Sequence, residues 1–190
     1  MKFIEFESER LRFRKFHEND AETVLRWGSN PDNVKYTKFD GSNKIEESRK
    51  FIADCIMLAV TDDCLDFEFA VESKETGDMI GSVQIICINE HEASLGYSFL
   101  PEHWNKGYGT ECVKELIKFG FNKLGLHRII AKCDAEHYAS YNIMQKAGMR
   151  REGYFIKNRR GNIVLNHEWR DELFYAILRE EWEKFCTVYA

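Results

Sequence analysis

Proline is scarce in this 190-residue sequence: Pro31 and Pro101 are its only two. No stretch mixes glycine, serine and proline into a linker, and no internal repeat or low-complexity segment occurs. Residues 1–190 are therefore expected to form one domain. Long apolar runs are missing too. The run Ile85, Ile86, Cys87, Ile88 falls far short of the roughly 18 residues of a membrane span, so no membrane partner is expected. The opening residues, MKFIEFE, alternate charge with apolar side chains and hold no apolar stretch of a secretory leader. A reducing cytoplasm is the expected location.

Closely spaced cysteines are lacking. Cys55, Cys64, Cys87, Cys112, Cys133 and Cys186 include no C-x-x-C pair, and the six histidines include no H-E-x-x-H. No metal site is expected. An excess of positive charge is also lacking: 27 Lys and Arg against 32 Asp and Glu give a net charge of −5. That excludes a nucleic-acid binder that relies on bulk charge. What is present is an ordinary globular composition, 44% hydrophobic. A chain of this length buries about 70% of its unfolded surface and needs no staples to fold.

Periodicity supplies the elements. Residues 10–16 alternate as a half-buried strand. Asn19 and Asp20 read as a helix cap before residues 21–27, and Asn43 with Glu46 as a loose capping box before a helical stripe from Ile45 to Ala59. Residues 67–72, 79–88 and 93–100 read as three antiparallel strands, broken by turn residues at 75–78 and 89–92. Val113, Leu116, Ile117, Gly120, Phe121 and Leu124 mark the strongest amphipathic helix. A strand at 128–134, a helix at 139–147, strands at 154–157 and 168–176 around a turn at 158–162, and a helix at 178–188 complete the chain. The order β-α-α-β-β-β-α-β-α-β-β predicts a mixed α/β sheet with helices on both faces.

The chemistry lies where a strand ends, a glycine-bearing loop follows and the long helix begins. Gly107 and Gly109, one residue apart, let backbone N–H groups turn to a ligand without Cβ interference. A helix N-terminus adds oriented amides and partial positive charge, so the combination suits a phosphate or pyrophosphate. Lys106 adds a charge. No Walker A sequence is present. A dinucleotide fingerprint fails as well, because Cys112 holds the place of its third glycine and antiparallel strands precede the loop.

Several stretches then act together: ERLRFRKFHENDAE, ETGDMIGSV, LGYSFLPEHWNKGYGTE, GLHRIIAKCD, ASYNIMQKAGMRREG and WRDELFYAILREEW. In order and spacing the chain resembles the GNAT superfamily of acyl-CoA-dependent N-acetyltransferases over about residues 9–182. More narrowly it resembles the ribosomal-protein N-terminal acetyltransferase branch, the RimJ/RimL type. The resemblance implies acetyl-CoA as cosubstrate and a splayed sheet that admits cofactor from one side and amine from the other. It implies a pyrophosphate loop over Trp104, Asn105, Lys106, Gly107, Tyr108, Gly109 and Thr110, with Trp104 in the slot usually held by arginine or glutamine. It implies that the strand at Ser98, Phe99 and Leu100 pairs with the pantetheine arm, and that amides near Phe99 receive an oxyanion. Ser140 falls in the slot whose hydroxyl protonates the leaving thiolate, or else it simply caps its helix. His137 stands where asparagine normally contacts pantetheine. Lys146 is placed near the adenosine phosphates, or is a solvated helix lysine.

The resemblance breaks at the base. Ser94 holds the place before Leu95, Gly96 and Tyr97 where many relatives carry glutamate, and Met144 stands near the position of a tyrosine acid used elsewhere. Glu68, Glu92 or a water chain ending on Ser94 are the substitutes. Cys112 and Cys133, among apolar neighbours, read as core rather than as nucleophiles. Trp27, Tyr36, Phe39 and Tyr97 read as acceptor-pocket or core aromatics, and Trp169 and Trp182 as packing. The expected reaction is direct acetyl transfer to a primary amine, of a protein N-terminus or of a small molecule such as a polyamine or aminoglycoside. A coenzyme-A-binding module without turnover is the competing class, and a self-associating structural protein the third. A homo-oligomer is compatible with the resemblance, but no heptad or apolar stripe points to one.

Overall fold

A computed structural model describes residues 2–37, 39–61 and 65–188. Cys64 lies outside the described residues. Among the described residues, eight strands form one sheet in the order β1-β2-β3-β4-β5-β6-β8-β7. They are β1 (Phe6–Glu7), β2 (Leu11–Arg14), β3 (Asp66–Ser73), β4 (Met79–Cys87), β5 (Glu92–Phe99), β6 (Arg128–Asp134), β7 (Arg150–Arg160) and β8 (Trp169–Leu178). The helices are α1 (Ala21–Ser29), α2 (Pro31–Val34), α3 (Ile45–Ala59), α4 (Tyr108–Asn122), α5 (Tyr138–Lys146) and α6 (Arg179–Val188). Every neighbouring pair is antiparallel except β5 with β6. The sheet is thus mixed and mostly antiparallel, as the order of elements predicts.

Strand alternation divides the side chains between two faces. Phe67, Phe69 and Val71 of β3, Val83 and Ile85 of β4 and Ile129, Ala131 and Cys133 of β6 pack under α4, which buries Val113, Leu116, Ile117 and Phe119 against them. Each Val, Leu, Ile or Phe among them contributes roughly 1.5–3 kcal/mol on leaving water. Gly120 brings α4 close, because a Cβ there would lie 2.7 Å from Ile129 Cδ1. On the other face Ala70 of β3 meets Phe16, Ala21, Val24, Ile52 and Cys55, which places α1 and α3 there.

Several expected boundaries move. Asp20 gives no side-chain cap to α1. Its carboxylate instead accepts the His17 amide at 2.7 Å and two bonds from Arg14 at 2.8 and 2.9 Å, so an ion pair outcompetes the cap. Helix α3 begins after Lys44, not Asn43, and has no capping bond. The turn expected at 158–162 is strand as far as Arg160, and the reversal falls later, through a short 3-10 turn at Ile163–Leu165. Trp169 is exposed rather than packed, whereas Trp182 lies against Phe121.

Candidate active site

The parallel pair β5–β6 is short. It runs from Glu92↔Arg128 to Leu95↔Ala131 and stops, while β5 continues to Phe99 and β6 to Asp134. Beyond Leu95 the two strands part, and β6 stays paired with β8 as far as Asp134↔Glu172. A gap therefore opens in the middle of the sheet. Leu100 donates to Ile80 at 3.0 Å. Antiparallel alternation then turns the amides of Ser98 and Gly96 to β4, and those of Tyr97 and Phe99 into the gap. The sequence groups Ser98, Phe99 and Leu100 together, but only Phe99 of the three presents its backbone there. The Trp104 indole donates to the Phe99 carbonyl at 2.7 Å, leaving that oxygen one lone pair.

One mouth of the gap lies on the α4–α5 face. The loop from Pro101 reaches α4 through Asn105 at φ 58° and Gly107 at φ 82°. Gly107 is the N-cap of α4, and no side chain caps it. Lys106 is exposed, and Tyr108, Gly109 and Thr110 form the first turn. Gly109 also lets α5 approach: a Cβ there would lie 2.6 Å from Ile143 Cδ1. Ser140, on α5, is buried, and Tyr97 reaches it across the gap. The Tyr97 hydroxyl lies 3.0 Å from the Ser140 carbonyl and 2.9 Å from its Oγ. Burial raises the Tyr97 pKa, so the phenol stays protonated. Tyr97 therefore sits on the α5 side, and not with the aromatics of the opposite face.

Those aromatics are Trp27, Phe39 and Tyr36. Trp27 stacks on Phe39 with centroids 5.8 Å apart, and its indole donates to the Ser98 hydroxyl. Tyr36 stacks on His137 at 4.6 Å. This places the His137 ring against the α2 segment, where burial lowers its pKa to about 4 and keeps it neutral. The segment is held from the far side of the gap. Arg159 donates to the carbonyls of Tyr36 and Thr37 at 2.7 and 2.8 Å, and Asn162 to those of Val34 and Phe39 at 2.6 and 2.8 Å. The second mouth is thus walled by α1, the residues after α2, and the β7–β8 turn.

Ser94 sits at the closed end, flanked by Ile86 and Ile130. It is four residues, about 13 Å, from Ser98, and it faces away from Ser140. Glu92 is farther still and is paired with Arg128 at 2.9 Å. Glu68 lies on the α1–α3 face of the sheet, with Ala70. Burial raises its pKa to about 7, against a hydrogen bond from Ser82 that lowers it. Gln84, opposite both Glu68 and Gly96, lies across Gly96, where a Cβ would sit 2.8 Å from its Cγ. Lys146 is exposed on the last turn of α5. Cys112 and Cys133 are core thiols: burial raises Cys133 to about 11 and Cys112 well above its usual value. Among the described residues no group of three His, Cys, Asp or Glu could hold a metal ion, and no helix is long and apolar enough to cross a membrane.

Glu68 makes stability depend on pH. Its folded-state pKa of about 7 lies above the ordinary 4.5, so the folded state holds the proton more tightly. That contribution is complete below pH 4.5 and is lost as pH rises through 7. Glu68→Gln, always neutral, is expected to gain up to about 3 kcal/mol over wild type at pH 8 and little at pH 4. Urea midpoints at the two pH values measure this. An equal difference at both would contradict it.

Two features of the site left no clear trace in the sequence. Tyr97 joins Ser140 from 43 residues away, and Arg10 reaches the loop before α4 from 96 away. The strings containing Arg10 and Glu111 stand out in the sequence, but nothing in either shows that they meet.

An acetyltransferase (GNAT) domain model matches residues 10–150. The uncharacterized N-acetyltransferase YnaD of Bacillus subtilis (strain 168) is 34% identical over 187 residues, covering 92% of this chain and 97% of YnaD. The crystal structure of a GNAT-family acetyltransferase from Bacillus anthracis is 35% identical, with a TM-score of 0.80 over 93% of this chain and 99% of that one. More distant is the spermidine N-acetyltransferase of Vibrio cholerae in complex with CoA and spermine. It is 20% identical, with a TM-score of 0.77 over 92% and 99% of the two chains. The ribosomal protein uS5-alanine N-acetyltransferase of Escherichia coli (strain K12) is 23% identical over 114 residues, covering 60% of this chain and 57% of that one.

Proposed function

The chain belongs to the acetyltransferase (GNAT) family and is an acetyl-CoA-dependent N-acetyltransferase; from that premise we propose how its residues divide the work and which amine it takes. The observation that carries the reading is the early end of the β5–β6 ladder at Leu95↔Ala131. It leaves amides of one strand free beside a glycine-bearing helix entry, and a second mouth on the opposite face. The whole chain acts as one catalytic domain in this reading.

Acetyl-CoA supplies a thioester whose acetyl group an amine takes directly. The loop amides at Asn105, Lys106, Gly107, Tyr108, Gly109 and Thr110 hold its diphosphate, because oriented N–H groups at a helix N-terminus favour anions. Lys106 adds a cation, and Lys146 lies toward the adenosine end. The Tyr97 and Phe99 backbone pairs with the pantetheine arm, and a Phe99 N–H in the gap faces the oxygen that gains charge. Ser140 gives its proton to the departing sulfur, and Tyr97, 2.9 Å away, restores it. Ser98 and His137 shape the gap from the acceptor side. Glu68 is the proton acceptor, reached from the gap through the Ser82 hydroxyl and water, with Gln84 beside the path; Ser94, at the closed end, has only a water-borne role.

The acceptor is a primary amine, and we read it as a protein N-terminus such as that of a ribosomal protein. The distant uS5-alanine enzyme supports this, as does a mouth walled by Trp27, Phe39 and Tyr36, which suits a peptide's first side chain. A polyamine is the alternative, from the similarly distant spermidine enzyme. Coenzyme A release should be followed with N-terminal alanyl and seryl peptides, spermidine and an aminoglycoside. The reading expects kcat/KM for a peptide to exceed that for spermidine at least tenfold. A higher value for spermidine or the aminoglycoside would replace the protein N-terminus with a small amine.

A further inference from the structure

Acetyl transfer gives no reason for a carboxylate in the first turn of α4, yet Glu111 is there. One turn inside a helix whose N-terminus receives a diphosphate, its charge opposes the ligand. The structure answers that charge from the other end of the chain. Glu111 Oε1 accepts from the Ser8 hydroxyl at 2.6 Å and from the Arg10 amide at 3.0 Å. Its Oε2 accepts from Arg10 Nε at 2.7 Å, with Arg10 Nη2 at the same distance. Burial works against the charged form, but these bonds outweigh it and hold the Glu111 pKa below the usual carboxylate range.

The same guanidinium has donors to spare. Arg10 Nη1 reaches the Lys106 carbonyl at 3.1 Å, and the group lies 4.6 Å from the centre of the Tyr108 ring. Lys106 C=O and Gly107 N–H belong to one trans peptide and point in opposite directions. A donor that fixes the carbonyl therefore fixes the amide. At φ 82° Gly107 is the joint of the loop with the widest conformational choice, so a restraint on its amide matters most there.

We propose that Arg10 is a positioning residue for the coenzyme diphosphate: it aims the Gly107 amide by holding the Lys106 carbonyl, and it neutralises Glu111 beside the ligand. The inference rests on the diphosphate lying at this loop. It gives a ligand-binding reason for two motifs, the ERL that leads into β2 and the GTE of α4, that the chemistry of acyl transfer leaves unused.

The test compares acetyl-CoA with S-acetylpantetheine, which carries the same thioester arm without the diphosphate. Arg10→Ala should raise KM for acetyl-CoA roughly tenfold, the worth of one charge-assisted contact, with kcat within about twofold. KM for S-acetylpantetheine should not move. Adding Glu111→Gln to Arg10→Ala should recover part of the loss, because the bare carboxylate is gone. An equal rise with both donors would make Arg10 merely structural and overturn the proposal, as would no rise with either. A double variant no better than Arg10→Ala would overturn the charge half. If Arg10→Ala does not fold, Arg10→Lys keeps a cation near Glu111 but cannot span both partners. It should still weaken acetyl-CoA selectively, and failure to do so would overturn the proposal. Wild type separates the two levels of the argument. Equal KM values for the two donors in wild type would remove the diphosphate from the loop altogether. A large wild-type preference for acetyl-CoA that survives Arg10→Ala would leave the loop reading intact and sink only the role of Arg10.

Discussion

Ser140→Ala is expected to lower kcat about 100-fold, the lower range for loss of a positioned proton donor, while KM for acetyl-CoA changes little. The serine is buried on α5, and its Oγ lies 2.9 Å from the Tyr97 hydroxyl, which is also 3.0 Å from the Ser140 carbonyl. A serine alone is a poor acid. Burial keeps the neighbouring phenol protonated, so a proton stands ready to replace the one the serine gives up, and a proton from solvent then restores the phenol. Tyr97→Phe should therefore lower kcat by a similar factor. The double variant should be no slower than the slower single, because the two act as a unit. Steady-state kinetics with a fixed amine decides this. The N-cap of α5 is His137, with no side-chain capping bond, so if Ser140→Ala retains wild-type kcat, the serine serves only to pack α5 against Tyr97.

Gly81→Ala is expected to destabilise the fold by about 3 kcal/mol, a size reserved for mutations with a specific steric cause. Gly81 of β4 pairs with Phe99 of β5. A Cβ at Gly81 would collide with the Ser98 carbonyl oxygen and lie 2.7 Å from Phe99 Cδ1 and 3.0 Å from Phe99 Cα. Two of the three obstacles are backbone, so no rotamer change relieves them. The pair must separate, and β5 must shift at the residues that face the gap. A thermal midpoint lower by about 6–12 °C is the corresponding shift for a chain of this length. The affinity for acetyl-CoA should fall with it. A midpoint within 2 °C of wild type would show that β5 yields without cost.

The elements that could be read in the sequence are those with a strong local period. Alternation at Phe67, Phe69 and Val71 and the stripe from Val113 to Leu124 survive because each buries one face against a partner. The glycine-bearing entry to α4 is legible for the same local reason, and what the sequence does not show is that Gly109 also makes room for Ile143 of α5. What the sequence hides is pairing across distance. Nothing in residues 92–99 says that a parallel neighbour leaves after Leu95, since the apolar pattern continues through Phe99. Asp20 reads as a cap by residue type but spends its carboxylate on Arg14. Tyr97 alternates like any inward residue, and only the approach of α5 gives its hydroxyl a partner. The turn at 158–162 failed because polar residues there, Asn158 and Arg159, point to Glu172 and to the α2 segment from within a strand. Only Arg159 of the two is buried; its polarity marks a buried hydrogen-bonding side chain, not a loop.

The central claim is that the loop between β5 and α4 holds the coenzyme. Isothermal titration of acetyl-CoA into the wild-type chain, with Gly107→Trp alongside and both shown to be folded, tests it most directly. A side chain at φ 82° strains the loop and stands 3.4 Å from Arg10 Nη2. The account predicts saturable binding by wild type and loss of at least tenfold in affinity by the variant. Equal binding by the two would place the coenzyme elsewhere, and a folded wild type that binds no acetyl-CoA would contradict the assignment of the site as a whole.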